Sequence, residues 1–275
     1  MKIFITGSSG FIGRHIVKFY QDQGHEVFEH RRYMDVGGKL CYFKPDLIIN
    51  CAAEIYNPEN MWVPNVLWTQ ECLDYVKTYP NTKMIQIGSS AEYGPVPRAA
   101  KETDRINPVD MYQATKGAAT LLCQGYARQY KLDIVVARPY SVYGRYEKPH
   151  RLFPRLWRAF KKDEPMKLFH GFHDFIYIDD FVRGIDILAN ANDKPLGDIV
   201  NLGSGQQHSN FTVAAIFRNQ STKDAPIEII STMAKSFESD VWICDTEYAK
   251  KQYGFCVQID LEQGIKLLLE MDSYE

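Results

Sequence analysis

Tyr112 and Lys116 lie four residues apart in a helical pattern, so a phenol and an ammonium leave the same face of one helix. A tyrosine alone titrates near pH ~10, and a neighbouring ammonium favours its phenolate, which predicts a proton donor able to work near neutrality. Upstream, Gly88-Ser89-Ser90-Ala91-Glu92-Tyr93-Gly94 follows an apolar run. Ser89 can donate a hydrogen bond to a carbonyl oxygen as negative charge builds there during hydride transfer. Ser90 suits a turn-stabilising role, and Glu92 suits either a general base or, the reading preferred here, a solvated loop carboxylate.

A hydride needs a carrier, and the start of the chain offers a place for one. Residues 6–13 read Thr-Gly-Ser-Ser-Gly-Phe-Ile-Gly directly after Ile3-Phe4-Ile5. Gly7, Gly10 and Gly13, with Ser9, Phe11 and Ile12 between them, stand where a first strand turns into a helix. Missing Cβ atoms there permit a tight turn and close approach of a pyrophosphate to the helix N-terminus. About 20 residues further on, an acid would bind ribose hydroxyls, whereas an Arg would accommodate a 2′-phosphate. The stretch reads Glu29-His30-Arg31-Arg32, so Arg31 and Arg32 point to NADP; if Glu29 instead ends the strand and takes the ribose, NAD is the alternative.

These groups must be positioned by a scaffold, and the first half of the chain supplies its pattern. Short apolar runs at Lys2–Thr6, Glu26–Glu29, Leu47–Cys51, Met84–Gly88 and Ile134–Ala137 predict strands. Phe11–Gln23, Pro64–Tyr79 and Asp110–Tyr130 carry apolar residues at helical spacing. The alternation predicts an α/β fold, a Rossmann-type doubly wound parallel sheet. After Arg138-Pro139 the pattern loosens and prolines recur, which predicts a smaller, discontinuous C-terminal substrate lobe. Phe175–Ile178 reads as a strand returning to the main domain and Ile227–Ile230 as a strand of the lobe. The expected division is residues 1–140 with about 173–202 for the dinucleotide, and about 141–172 with 203–275 for the substrate.

With 45% apolar residues in 275, the chain can bury a full core. Its formal net charge of −2, with dispersed basic residues, lacks the footprint of a nucleic-acid partner. No apolar run approaches the ~20 residues of a membrane span, and the first residues enter a strand without a leader, so a cytoplasmic protein is expected. Six cysteines without Cys-x-x-Cys spacing argue against zinc or a disulfide framework. His170 and His173 lack a third ligand at helpful spacing, and no metal is expected. Tyr56, Trp62, Tyr93, Tyr140 and Tyr143 suit either a pocket lining or the core, and Arg151, Arg155 and Lys167 either a substrate diphosphate or a solvated face.

Taken together, the motifs resemble the extended short-chain dehydrogenase/reductase family, also called the NAD-dependent epimerase/dehydratase family of nucleotide-sugar enzymes. The resemblance rests on residues 6–13, Asn50-Cys-Ala-Ala53, Asn65, Gly88-Ser-Ser90, Glu102, Tyr112/Lys116, Arg138-Pro139, Tyr143-Gly144, Asp174–Asp180, Asn201–Gly205 and Asp245 ahead of Tyr253-Gly254. It implies a nicotinamide dinucleotide, a nucleoside-diphosphate sugar and a homodimer through a four-helix contact. Tyr112 would be the acid/base, Lys116 would hold the nicotinamide ribose, and Ser89 would take the family's Ser/Thr position. Ala52, Ala53, Arg138 and Pro139 would line the cofactor, with Asp35 and Val36 near the adenine. Ser90, Glu92, Tyr140, Ser141, Arg151 and His173 would face the substrate. Ser141 and His173 depart from the family's Asn and Arg, and Arg31 replaces its acid.

The expected activity is NADP-dependent reduction of a 4-keto nucleotide-diphosphate sugar. An NAD-dependent epimerase or dehydratase is the alternative, although dehydratases carry an Asp-Glu pair where Ala91-Glu92 stands. A non-catalytic dinucleotide sensor is the reading from another class, and an intact Ser89, Tyr112 and Lys116 set argues against it.

Overall fold

The structure is a computed structural model that describes residues 1–32, 34–233 and 240–274, the side chains of 231–233 excepted. The chain begins β1 (Lys2–Thr6), α1 (Phe11–Asp22), β2 (Glu26–His30), α2 (Val36–Phe43), β3 (Leu47–Asn50), α3 (Trp68–Thr78), β4 (Lys83–Ile87), α4 (Met111–Tyr130) and β5 (Ile134–Pro139). It continues β6 (Ser141–Tyr143), α5 (Leu152–Lys162), β7 (Met166–His170), β8 (Phe172–Tyr177), α6 (Ile178–Asn190), β9 (Asp198–Leu202), β10 (Gln207–Ser209), α7 (Asn210–Gln220), β11 (Ile227–Met233), α8 (Glu247–Tyr253) and α9 (Leu261–Glu270).

Six parallel strands run in the order β2-β1-β3-β4-β5-β9, so successive connections leave β1 in one direction for β2 and return past it for β3. That reversal opens a crevice at the carboxyl ends of β1 and β3, where open α/β sheets bind ligands. The strands are near-continuous apolar runs because helices cover both faces. Ile3 and Ile5 enter one buried cluster with Ile16, Tyr20 and Ile185, while Phe4 enters the other with Val36, Leu73 and Val76.

The lobe holds two small sheets, β10-β8-β6 and β11-β7. Strand β8, expected over Phe175–Ile178, pairs with β6 and β10 and ends at Tyr177, since Ile178 starts α6. What anchors β8 there is Asp174, whose carboxylate accepts the backbone N–H groups of Ser204, Gly205 and Cys244 at 2.7–3.0 Å. The helix expected from Pro64 begins instead as a π-helical turn, Val63–Leu67, and becomes α-helical at Trp68. Helix α2 escaped notice because Gly37 and Gly38 sit in its first turn; Asp35 offsets them by accepting the Gly38 N–H at 3.0 Å.

Candidate active site

The glycine turn sits at the crevice. Gly7 has φ +62, a conformation that favours glycine, and a Cβ on it would lie 2.9 Å from the backbone N and Cα of Ala52 beyond β3. At Gly13 a Cβ would come 2.2 Å from the Gly7 carbonyl oxygen, so this glycine lets α1 press onto the turn. Helix α1 starts at Gly10 with no side-chain cap and no acid in its first turn, leaving its N–H groups to the crevice. Such a cradle fits a dinucleotide pyrophosphate. Ser9 is exposed at the turn, whereas the Phe11 and Ile12 side chains pack toward the core, so only their backbone could meet an anion. Thr6 holds the two strand ends together, donating to Asn50 Oδ1 at 2.5 Å and accepting the Ala52 N–H at 3.0 Å.

At the end of β4, Ser89 caps a short 3₁₀ turn, Ser90–Tyr93, its hydroxyl accepting the Ala91 N–H at 3.1 Å. Across the crevice, Asp110 caps α4 and places Tyr112 in the first turn. The Ser89 hydroxyl stands close enough to the Tyr112 phenol to favour its ionised form, so the two groups expected to handle a substrate oxygen are brought to one place. Lys116 follows one turn later on the same face and donates to the Ile87 carbonyl, the last residue of β4.

The electrostatics differ from the sequence expectation. Burial pushes the Tyr112 phenol above its ordinary range, the Ser89 hydrogen bond and the Arg151 charge oppose this, and Glu92 and Asp110 add to it. Burial also lowers Lys116, with the Glu92 carboxylate acting against that loss. Lys116 thus spends a donor on the strand end.

Glu92 is the clearest correction. It is 0% exposed rather than solvated. Its Oε1 accepts the Ser89 N–H at 2.8 Å, and its Oε2 accepts from Thr120 at 2.8 Å and from Arg138 Nε at 2.9 Å, with Arg138 Nη2 2.7 Å away in the same ion pair. With both oxygens engaged, it fixes Ser89 and is closed to substrate. Arg138, expected to line the cofactor, is likewise buried, its guanidinium 4.4 Å over the Tyr93 ring. Thr120 stands eight residues after Tyr112 on one helix face, a spacing that could have exposed the network.

The remaining candidates scatter. Ala52 and Ala53 lie beyond β3, the first buried and the second exposed. Val36 packs in the core, and Asp35, exposed, caps α2 through the Gly38 N–H. Ser90 and Tyr140 are buried beside the turn, while Pro139, Ser141 and His173 are half-buried, His173 against the Phe175 ring. Arg31 pairs with Glu29 and Arg32 with Glu54, each at 3.1 Å and each arginine largely exposed. Arg151 stands at the N-cap of α5 with its Nε 3.2 Å from Glu147 Oε1.

A parallel Rossmann-type sheet, a glycine cradle at its switch point and a Ser-Tyr pair beside it define a nicotinamide-dinucleotide oxidoreductase scaffold. Residues 3–203 match the model of the NAD dependent epimerase/dehydratase family, and the chain belongs to that family, the extended short-chain dehydrogenase/reductases. It is 31% identical to the UDP-glucuronate 4-epimerase of Thermodesulfobacterium geofontis over 76% of this chain, and spans 65% of that protein. Among solved structures it resembles the UDP-glucose 4-epimerase of Thermotoga maritima with UDP-glucose (TM-score 0.89, 20% identity, 98% of each chain). It also resembles the UDP-glucuronic acid 4-epimerase of Bacillus cereus with UDP-glucuronic acid and NAD (TM-score 0.87, 23% identity, 98% of each chain).

Proposed function

We propose that the protein is an NAD-dependent nucleotide-sugar epimerase acting through oxidation and re-reduction of one ring carbon bearing a hydroxyl. The observation that carries this reading is the placing of Ser89 and Tyr112 together beside the glycine cradle. A bound nicotinamide would supply a hydride acceptor and, in the return step, the donor. Tyr112 takes the proton of the sugar hydroxyl at its phenolic oxygen and later returns it, while Ser89 donates a hydrogen bond to the ketone oxygen. Lys116 leaves the Ile87 carbonyl for the nicotinamide ribose.

Two features sort the family's activities. The commitment of Glu92 to Arg138, Thr120 and Ser89 removes the carboxylic acid that dehydration would use after Ala91, which speaks against a dehydratase. Glu29 and Glu54 neutralise Arg31 and Arg32, so a 2′-phosphate would have to displace both carboxylates; this supports NAD, as does the epimerase relative. The second reading, NADP-dependent reduction of a 4-keto nucleotide sugar, draws support from the same two guanidiniums at the exit of β2, whose charge and shape suit a phosphate. Exposed Leu67 and Leu121, at the start of α3 and on α4, support a homodimer through these helices.

The test is the nucleotide released on denaturing freshly purified protein, followed by assay of UDP-hexoses and UDP-hexuronates for interconversion. Retained NAD with epimer formation and no net cofactor consumption supports the epimerase. Preferential NADP binding with stoichiometric NADPH oxidation on a 4-keto sugar establishes the reductase instead. A dinucleotide complex inert toward every nucleotide sugar, in wild type and Tyr112→Phe alike, leaves the sensor.

A further inference from the structure

Two ion pairs stand at the exit of β2, and they differ in kind. Arg31 and Glu29 are two residues apart on one strand end, with side chains 62% and 35% exposed, so water screens the pair. Arg32 instead reaches another segment. Its Nη2 lies 3.1 Å from Glu54 Oε2, four residues beyond the end of β3, and the Glu54 side chain is 17% exposed. Thr6, the last residue of β1, pairs with His30 on one side and Asn50 on the other. The Arg32–Glu54 pair therefore bridges the exits of β2 and β3 across the end of the strand that leads into the glycine turn.

The turn itself is tied to the β2 exit, because the Ser8 hydroxyl donates to the His30 carbonyl at 3.0 Å. A dinucleotide whose pyrophosphate lies in the cradle extends its adenosine ribose toward that exit. The ion pair thus stands on the path of the ribose. Glu54 is firmly held there. Its Oε1 accepts the backbone N–H groups of Ile55, Tyr56 and Asn57 at 3.1, 3.0 and 3.3 Å. Its own N–H donates to Asn65 Oδ1 at 2.8 Å, and Asn65 Nδ2 donates to the Glu54 carbonyl at 3.0 Å and to Thr115 Oγ1 at 2.9 Å. Asn65 is buried in the π-helical turn Val63–Leu67, and Thr115 lies on α4. Glu54 is thus a fixed carboxylate to which the exposed Arg32 comes.

We propose that Glu54 is a specificity-determining residue that biases the site toward NAD by occupying the guanidinium of Arg32. That planar fork is the group otherwise shaped to take a 2′-phosphate through paired hydrogen bonds. A 2′-phosphate must break the ion pair and then meet the Glu54 charge, whereas a 2′-hydroxyl brings no charge to compete for the guanidinium. The proposal rests on the reading of the crevice as a dinucleotide site.

The test reads binding rather than turnover. Wild type and variants are dialysed to equilibrium against equimolar NAD and NADP, and the bound nucleotides, released by denaturation, are counted by mass spectrometry. Glu54→Gln keeps an acceptor for the loop N–H groups but loses the charge. The bound NADP:NAD ratio should then rise about tenfold, the scale of one charge-assisted hydrogen bond. Arg32→Gln leaves the carboxylate unopposed and should lower the ratio by about threefold. Adding Arg32→Gln to Glu54→Gln should cancel the gain. A ratio that folded Glu54→Gln does not raise, that Arg32→Gln does not lower, or that stays high in the double variant overturns the proposal. Should circular dichroism show Glu54→Gln unfolded, the fall in Arg32→Gln decides alone. If the ratio shifts as expected while wild type itself prefers NADP, the NAD-dependent reading falls and the assignment of Glu54 stands; a wild type that prefers NAD with a ratio unmoved by either variant does the reverse.

Discussion

Replacing Glu92 by Gln tests the network under Ser89. The carboxylate receives three hydrogen bonds, from Ser89 N, Thr120 Oγ1 and Arg138 Nε, and forms an ion pair with that guanidinium, both charged residues being inaccessible to solvent. Gln matches the shape but has one acceptor and one donor end. If its carbonyl faces Arg138, its amide opposes the Ser89 N–H; if it is turned over, the amide opposes the guanidinium. In either pose Arg138 becomes a buried charge without a counter-ion, a loss of about 3–5 kcal/mol. For a chain of this size that is a fall in Tm of roughly 10 °C, since each kcal/mol moves Tm by about 2–4 °C. Thermal and urea unfolding followed by circular dichroism measure it. Arg138→Met in the same chain removes the stranded charge, so the double variant should recover at least half of the loss. A single-variant loss below about 1 kcal/mol, or a double variant no better than the sum of its parts, would refute the account of Glu92 as the counter-ion that holds this region together.

Further outcomes follow from the same geometry. Tyr112→Phe should lower kcat by about 10²–10⁴-fold while dinucleotide affinity, read by fluorescence titration, stays within about twofold. Gly13→Ala, which puts a methyl against the Gly7 carbonyl, should abolish dinucleotide binding or lower Tm; unchanged values for both would contradict the close fit of α1 to the turn. Burial lifts Glu102 to about 7 from an ordinary value of 4.5, so its folded form holds a proton that the unfolded chain has released. Stability from this group is complete below pH ~4.5 and is lost as pH rises toward ~7. Glu102→Gln should flatten that decline and stabilise the protein at pH 8 by about 2 kcal/mol, measured by urea unfolding across pH.

How far the sequence disclosed this depends on the range of the interaction. The glycine turn, the strands of the first half and the pairing of Tyr112 with Lys116 are local in spacing, and they are where the pattern puts them. Ser89 and Tyr112 are distant in sequence, yet the carboxyl-edge rule for α/β sheets brought them together. Glu92 was misread because a lone carboxylate in a glycine-flanked loop looks solvated; its partner Arg138 lies 46 residues away on the next strand, and only strand order makes them neighbours. Helix α2 was missed because two glycines open it, and with it the packing of Val36 into the core.

Between β5 and β6 stands a single residue, Tyr140, whose N–H is bonded to the Leu202 carbonyl at 2.9 Å, and β8 runs into α6 without any spacer. The two layers that enclose the crevice are therefore welded rather than jointed, and a clamshell motion would have to tear ladder bonds. On the proposed function, a sugar nucleotide would have to pass loops such as the pair held together by the His150–Tyr56 hydrogen bond at 2.9 Å, without the two layers parting.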